Sequence, residues 1–306
     1  MLQQTTVATV IDYYKRFVKE FPDVASVANA KEESLLALWQ GLGYYSRIRN
    51  FQTACQQIMA DFGGVIPSSF EELRSLKGIG DYTAAAVSSI SFGKSHAVVD
   101  GNVKRVLARL FYFNGEINAK ASQIFFRSKA DGLLDRTNPG DYNQAIMELG
   151  ATVCRPKAPT CLICPVQNFC LARNANPESL PIVKNQKFID VEYAALLIQH
   201  KNQILFKKPA SDNLIANMWE LPSIYQQNQS APQEWKKTFK NNFHADKLIE
   251  MGSVRHSITN KRILTKVYTH PTAKWHHSDY VFVSADAIKE IPVNTLSRKI
   301  LKKFGL

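Results

Sequence analysis

Along the first half of the chain, apolar residues gather in helix-length groups separated by glycines and prolines, and the stretch from Thr5 to about Ala172 reads as helical. Leu35, Leu36, Leu38 and Trp39 crowd one short helix that Gly41 and Gly43 end. A second helix is predicted over Asn50–Asp61 and stopped by Gly63-Gly64, and Ser69 followed by Glu72 is a capping-box signature for a third over Glu71–Leu76. Tyr82–Phe92 is rich in Ala, Ser and Val with no breaker before Gly93; Val103–Phe111 and Tyr142–Val153 continue the helical series. Pro156, Pro159 and Pro165 then exclude a long helix.

Around Asn174–Lys187 the composition shifts to Asn, Pro, Lys and Gln, as expected of a linker, and beyond it the period changes. Glu192–Gln199 is a β-rich apolar run, His200-Lys201-Asn202 a turn, and Gln203–Lys208 a further strand; Ile263–Tyr268 and Asp279–Val283 also read as strands. Trp235–Asn242 and Leu296–Phe304 read as helices. The expected organisation is multidomain: an all-α domain over 1–173, a linker over 174–187, and an α+β domain over 188–306, with no internal repeat.

At 306 residues there is room for two cores. Lys and Arg total 38 against 26 Asp and Glu, a formal charge of +12, which points to an anionic partner. DNA, RNA and an acidic membrane face all fit that charge, and so does a basic protein with no such partner. No apolar run approaches the ~18 residues a spanning helix needs, and the N-terminus lacks a signal-peptide pattern, so no membrane partner and a cytoplasmic, nucleoid-associated location are expected. Five cysteines in such a reducing compartment argue against a disulfide framework.

Four of them, Cys154, Cys161, Cys164 and Cys170, fall in a proline-punctuated loop with the spacing C-x6-C-x2-C-x5-C. Four thiolates this close can reach one inorganic centre, either a [4Fe–4S] cluster or a structural zinc. Zinc sites usually pair their ligands in two short C-x2–4-C knuckles; only one such pair is present, which tilts the choice toward iron–sulfur. Cys55 sits alone in a predicted helix and is assigned to the core.

Leu76-Lys77-Gly78-Ile79-Gly80 ends one predicted helix and opens the next. Two glycines there allow positive φ and close backbone approach, and the amides at the following helix N-terminus can face a phosphate. Taken alone the pattern is common to many helical hairpins. Twenty residues past Gly80, Asp100 stands beside Gly101 ahead of a basic helix start, Asn102-Val103-Lys104-Arg105. It can project into a cleft or serve as an ordinary N-cap.

The glycine hairpin, the Asp and the cysteine spacing together resemble the helix-hairpin-helix DNA glycosylase superfamily in its iron–sulfur branch. Within that superfamily, Met1-Leu2-Gln3-Gln4-Thr5, Gly41-Leu42-Gly43-Tyr44-Tyr45-Ser46-Arg47, Val99–Arg109, Asn143-Gln144-Ala145 and Glu148-Leu149-Gly150-Ala151 are similar to the adenine DNA glycosylase family, almost end to end. The resemblance implies a base-excision repair enzyme that flips adenine out of a mispair with 8-oxoguanine or guanine in double-stranded DNA and acts as a monomer. Where endonuclease III-type relatives carry a nucleophilic Lys, two residues past the second hairpin glycine, this chain has Tyr82, so the expected enzyme is monofunctional and leaves an abasic site. Lys104 lies close enough in sequence to supply a weak amine in its place.

The resemblance assigns Asp100 to stabilise the oxocarbenium-like sugar, with Tyr82 and Asn102 in the same pocket. It assigns Leu2 and Tyr44 to intercalation, Gln3, Gln4 and Thr5 to the wedge that reads the opposing base, and Gly78 and Gly80 to the DNA backbone. Arg47, Arg49, Lys104 and Arg105 are candidate phosphate contacts. The family's catalytic Glu falls two residues before the position matching Met1, so the chain as given is expected to be nearly inactive, with a misassigned start or a truncated gene as the simple explanation and a truncated, catalytically impaired protein that binds the mispair as the alternative. The hairpin has Lys77 where relatives usually have Pro.

Residues 188–306 resemble the Nudix-like 8-oxoguanine recognition domain of the same family through Met218-Trp219-Glu220-Leu221-Pro222 and Arg255-His256-Ser257-Ile258-Thr259-Asn260. Relatives usually end the second motif in Phe-Ser-His. Thr259 keeps the hydroxyl donor, whereas Asn260 puts an amide in place of a protonatable ring. His256 has an equal claim as a structural histidine. No acidic R-E-x-x-E-E helix is present, which argues against nucleotide hydrolysis.

Overall fold

A computed structural model describes residues 1–2, 5–184, 187–211, 213–214, 217–226, 239, 247–270 and 278–306. Gln3 and Gln4 lie outside the described residues, as does the predicted helix Trp235–Asn242 apart from the buried Phe239. Chain contacts define two compact units: Met1–Arg49 with Gln186–Leu306, and Asn50–Asn185.

The helices are α1 (Val7–Glu20), α2 (Val24–Ala28), α3 (Glu32–Trp39), α4 (Ser46–Asp61), α5 (Phe70–Ser75), α6 (Asp81–Phe92), α7 (Gly101–Leu110), α8 (Lys120–Leu133) and α9 (Pro139–Glu148). The predicted capping box of α5 forms by half: Ser69 Oγ accepts from the Glu72 amide at 3.2 Å, while its hydroxyl donates to the Glu72 carboxylate at 2.6 Å. Gly93, at φ 63°, ends α6 with its amide on Ser89 O and the Lys94 amide on Ser88 O, the paired closure that a left-handed residue permits. The helix predicted over Tyr142–Val153 stops at Glu148 and widens into a π-type turn over Leu149–Val153, closed by the Cys154 amide on Leu149 O at 2.7 Å. Three 3₁₀ turns, Cys161–Ile163, Gln167–Phe169 and Pro177–Ser179, carry the cysteine loop and its exit.

In the Asn50–Asn185 unit, Val103, Val106 and Leu107 of α7 are buried against Phe126 and Ala130 of α8 and Ile146 of α9. Each such large side chain contributes roughly 1.5–3 kcal/mol on burial. Phe113 stacks on Phe125 with ring centroids 4.4 Å apart, sealing one end of that core.

In the other unit, the strands are β1 (Ile189–Leu196), β2 (Gln199–His200), β3 (Gln203–Lys207), β4 (Ser223–Gln226), β5 (Ile249–Ile258), β6 (Lys261–Thr269) and β7 (Tyr280–Ser284), followed by α10 (Ala287–Glu290) and α11 (Thr295–Lys303). One sheet has the order β4-β1-β6-β5, with β1 parallel to β6 and the other pairs antiparallel; the second is antiparallel β2-β3-β7. The single strand expected over Glu192–Gln199 is two strands. Leu196, Leu197 and Ile198 are buried in succession, which alternation within one sheet does not give, and the chain changes sheets there. Val191, Phe206, Val254, Ile263, Val267, Val283 and Ile300 share one core, so both sheets and α11 close over it. The N-terminal helices of this unit dock on the same body: Gln40 donates to Val293 O at 2.7 Å, Asn217 to Glu32 at 3.2 Å and the Trp219 indole to Glu33 at 3.4 Å.

Candidate functional site

The α5–α6 hairpin uses its two glycines differently. Gly78 has φ 77°, and a Cβ there would stand 2.5 Å from the Asn50 Cβ, so both conformation and space require glycine. Gly80, expected to share the positive φ, has φ −89° and nothing within 4 Å of where its Cβ would be. It is the N-cap of α6 with no side-chain cap, which leaves open backbone at the helix's positive end. Asp81 follows and is held by Arg74 and by Arg127, the latter at 2.7 Å; the Arg74 hydrogen bond chiefly holds its carboxyl below the usual range.

Of the two roles the sequence allowed for Asp100, the structure shows the N-cap. As N-cap of α7 it accepts the Val103 amide on Oδ1 at 2.7 Å, while Oδ2 accepts from the Asn102 amide at 3.2 Å. Tyr82, half-buried, donates its hydroxyl to Met147 Sδ at 3.4 Å. Burial, and then the Asp100 charge, push its pKa up, so Tyr82 is a neutral donor at physiological pH. Tyr82, Val99, Lys104, Gln123, Ile124 and Arg127 line a cavity of about 210 Å³, whose only acidic lining residue among those described is Asp81.

Arg105, expected at a phosphate, faces inward. It donates to Asn102 Oδ1 at 2.9 Å, Gly150 O at 2.7 Å and Cys154 O at 2.8 Å. The π turn comes this close to α7 because residue 150 is glycine: a Cβ there would stand 2.7 Å from the Asn102 Cβ. One turn on, buried Arg109 donates to Arg155 O at 2.7 Å, Pro156 O at 3.0 Å and Leu180 O at 3.0 Å, and to Cys154 Sγ at 3.4 Å. These two arginines fasten the cysteine loop to the helix that begins at Asp100. Sequence reasoning missed this; the signal was their i,i+4 spacing beside Asn102.

Cys154, Cys161, Cys164 and Cys170 line one cavity of about 30 Å³ with Arg109 and Pro159. Burial raises the Cys170 thiol pKa, and the other three thiols add to the rise, as expected of four sulfurs gathered around one space. Among the described residues no three His, Cys, Asp or Glu side chains converge closely enough for a single metal ion. A tetrahedral zinc with bonds of about 2.3 Å would pull its sulfurs to within about 4 Å of each other. Four thiols around a shared gap, under two cationic side chains, suit a larger inorganic group of net negative charge better. Cys55 is buried on α4, its thiol pushed up to about 11, as expected of a core residue.

In the other unit, Tyr44 is 49% exposed with φ 47°, at the end of a turn built on Gly41 and Gly43, and Leu2 is 58% exposed. Neither is core. Thr5 donates its amide to Leu2 O at 3.3 Å. Arg47 is turned to backbone carbonyls, donating to Met1 O, Leu42 O and Gly43 O at 3.1–3.2 Å, with its guanidinium over the Tyr44 and Trp39 rings. Arg49 pairs with Glu32 at 2.7 Å. Gly43, Tyr44, Arg49, His256, Thr259 and Asn294 are among the residues lining a cavity of about 450 Å³. Thr259 and Asn260 form the two-residue turn between β5 and β6; Thr259, at φ 54°, donates to Ile258 O at 2.7 Å. His256 stands 3.3 Å from Lys299 Nζ, and burial, then that charge, lower its pKa.

Comparison with known proteins places these features. Residues 1–129 match the HhH-GPD superfamily of base excision DNA repair proteins, and residues 193–303 match the NUDIX domain. An adenine DNA glycosylase of Buchnera aphidicola subsp. Baizongia pistaciae is 33% identical over 263 residues, 85% of this chain and 73% of that protein. The adenine DNA glycosylase of Mus musculus is 46% identical over 173 residues, 56% of this chain; the match spans about a third (34%) of that relative's length. A solved thermostable thymine-DNA glycosylase superposes with a TM-score of 0.51 at 27% identity, over 56% of this chain and 79% of that one.

Proposed function

Because the chain belongs to the adenine DNA glycosylase family, with a helix-hairpin-helix repair domain followed by a Nudix domain, we propose that it acts in base-excision repair as a monofunctional glycosylase that hydrolyses the N-glycosidic bond of adenine mispaired with 8-oxoguanine or guanine in double-stranded DNA. The observation that carries this reading is the group at the head of α7: Asp100 held by Asn102 and the Val103 amide, with Tyr82 as a neutral neighbour and no lysine in its place.

Adenine must leave the stack to be reached. Its departure builds positive charge on the sugar, which the fixed Asp100 carboxylate stabilises from a short distance. Asn102 orients that carboxylate, and the Tyr82 hydroxyl lacks the nucleophilic amine a lyase would use. Open backbone at Gly80 and the α6 N-terminus supplies a phosphate contact, with Lys104 as a further cation. The exposed Tyr44 and Leu2 fit intercalation; the cavity beneath the Thr259 turn fits the opposing purine, with Arg47 holding the Tyr44 turn in shape. The four cysteines would hold a [4Fe–4S] cluster, which when bound ties the loop over 154–170 into one body; Arg105 and Arg109 transmit that order to Asp100. We further propose that the chain acts as a nucleoid-associated monomer.

A second reading is favoured by one observation. Departing adenine needs a proton, and among the described residues the only acidic lining of the cavity beside Tyr82 is Asp81, committed to two arginines and held ionised. On that reading the chain binds the mispair and excises slowly. Both are tested by single-turnover incubation with an 8-oxoguanine:adenine duplex, reading strand scission after alkali and duplex affinity in parallel, with Asp100→Asn as control. Scission abolished by Asp100→Asn supports the first reading; tight mispair binding without scission supports the second. A chain that neither cuts nor prefers the mispair overturns both.

A further inference from the structure

We propose that Asn143 is a positioning residue for Asp100, holding the segment that delivers the carboxylate to the head of α7. The inference rests on Asp100 acting at the sugar as proposed above. Residues 93–100, between α6 and α7, form no regular element, so their backbone groups have no ladder to join. Asn143, on α9 and 1% exposed, supplies one. Its Oδ1 accepts the Val98 amide at 3.1 Å, and its Nδ2 donates to His96 O at 2.8 Å and to Ser89 Oγ on α6 at 2.8 Å. One side chain thus acts as a strand partner to the residues just before Asp100 and ties them to a neighbouring helix.

The anchor is itself rigid. A Cβ at Gly140, one turn earlier on α9, would stand 2.9 Å from Ser89 O, so α9 lies against the end of α6 with no slack. His96 is further held by stacking on Phe70 at 4.9 Å, and Val98 is buried at 1% exposure. The chemistry demands an amide. Aspartate keeps the acceptor for Val98 but loses both donors and sets a charge against the His96 carbonyl; serine is too short to span both contacts. The orienting role differs from simple core filling because Asn143 touches the delivery segment and not Asp100, Asn102 or Tyr82.

The test compares Asn143→Ala and Asn143→Asp with Ile146→Ala, a buried apolar truncation on the same helix. Three quantities are read: the single-turnover excision rate, duplex affinity, and hydrogen exchange of the Val103 amide, which Asp100 caps and Asn143 does not touch. We expect both Asn143 variants to lose about tenfold or more in excision rate with affinity within about twofold, since small misplacement of a reacting group costs that order. Val103 exchange should rise with them. Ile146→Ala should lower the melting temperature and leave the rate at 25 °C near the parent. Equal rate losses in all three variants, or unchanged Val103 exchange in both Asn143 variants, would overturn the inference. If the parent chain itself releases no adenine, the functional reading fails separately, and Val103 exchange alone decides the positioning role.

Discussion

The hairpin glycines make the sharpest quantitative test, because two residues of the same type, two positions apart, are predicted to behave oppositely. At Gly78 an alanine must adopt φ 77°, which costs an L-residue about 1–2 kcal/mol. Its Cβ would also lie 2.5 Å from the Asn50 Cβ, an atom fixed to the α4 backbone and unable to swing away, and relieving that overlap costs about 1–3 kcal/mol. Gly78→Ala should therefore destabilise by about 2–5 kcal/mol, a large share of the roughly 5–15 kcal/mol available to a domain. At Gly80, φ −89° and ψ 175° are ordinary for any residue and the space is empty, so Gly80→Ala should be neutral within about 1 kcal/mol. All four tryptophans, Trp39, Trp219, Trp235 and Trp275, lie in the Met1–Arg49 and Gln186–Leu306 unit. Urea unfolding is therefore best followed by helical circular dichroism, since indole fluorescence reports the wrong unit. The stable Gly80→Ala protein should nonetheless bind duplex DNA more weakly, because its methyl projects where backbone approach to a phosphate is proposed. Equal stability losses at the two positions, or a Gly78→Ala loss below about 1 kcal/mol, would refute the reasoning.

Three further outcomes are expected. Arg105→Ala strips charged donors from Asn102, Gly150 and Cys154; it should cost about 2–4 kcal/mol and lower both bound iron and excision rate, and intact iron content with full excision would count against the bridge. Purified anaerobically, the chain should carry about four irons; Cys164→Ala should lose most of them and Cys55→Ala none, whereas one zinc per chain would remove the iron–sulfur assignment. His256 has its folded pKa lowered by burial and by Lys299. The unfolded chain therefore takes up its proton first as pH falls through about 6.5, so the contribution is present above that pH and lost below it. The melting temperature should drop between pH 7.5 and 5.5, with a smaller drop in His256→Gln; identical profiles would exclude His256 as the source.

Much of the fold was legible because its punctuation is strong. Gly93 ends α6 and Ser69 starts α5 because the backbone at those points has few alternatives. The β elements were read less well. β4 is four residues long, and β5 is an edge strand with a bulge between Glu250 and Gly252 and Val254 alone fully buried, so it lacks the alternation that marks a half-buried strand. The break between β1 and β2 is hidden because a continuous apolar run is equally consistent with one buried strand. At the site, the cap reading of Asp100 is the one seen: one oxygen takes the Val103 amide and the other the Asn102 amide, so its part at a sugar rests on the proposed function. Arg105 was misjudged because a charge of +12 invites every arginine to be read outward. Whether a guanidinium faces DNA or the interior depends on free carbonyls nearby, and the π turn that presents Gly150 O and Cys154 O has no plain sequence mark.

The spacing along α7 nevertheless shows why the cysteines and the carboxylate belong to one design. Counting from Asp100, Asn102 and Arg105 are three apart and Arg105 and Arg109 four apart, so all three side chains lie along one helical stripe. Val103, Val106 and Leu107 occupy the adjoining stripe and bury α7 in the core. A helix locked on one side by apolar packing has little freedom to adjust on the other, so whatever the arginines grip sets the rotation of its N-terminus. They grip four atoms of the cysteine loop, Cys154 O and Sγ, Arg155 O and Pro156 O, together with Gly150 O in the π turn and, beyond the loop, Leu180 O. A loop with only short 3₁₀ turns cannot offer a fixed set of carbonyls unless something organises it, and four thiols around a common cavity are the means the chain provides. Loss of the inorganic centre is therefore expected to reach Asp100 as a loss of orientation, with no contact between the two. It follows that cluster removal should raise hydrogen exchange at the Val103 amide before it lowers the helical content of α7. Loss of α7 helicity first would mean that the cysteine loop serves stability alone.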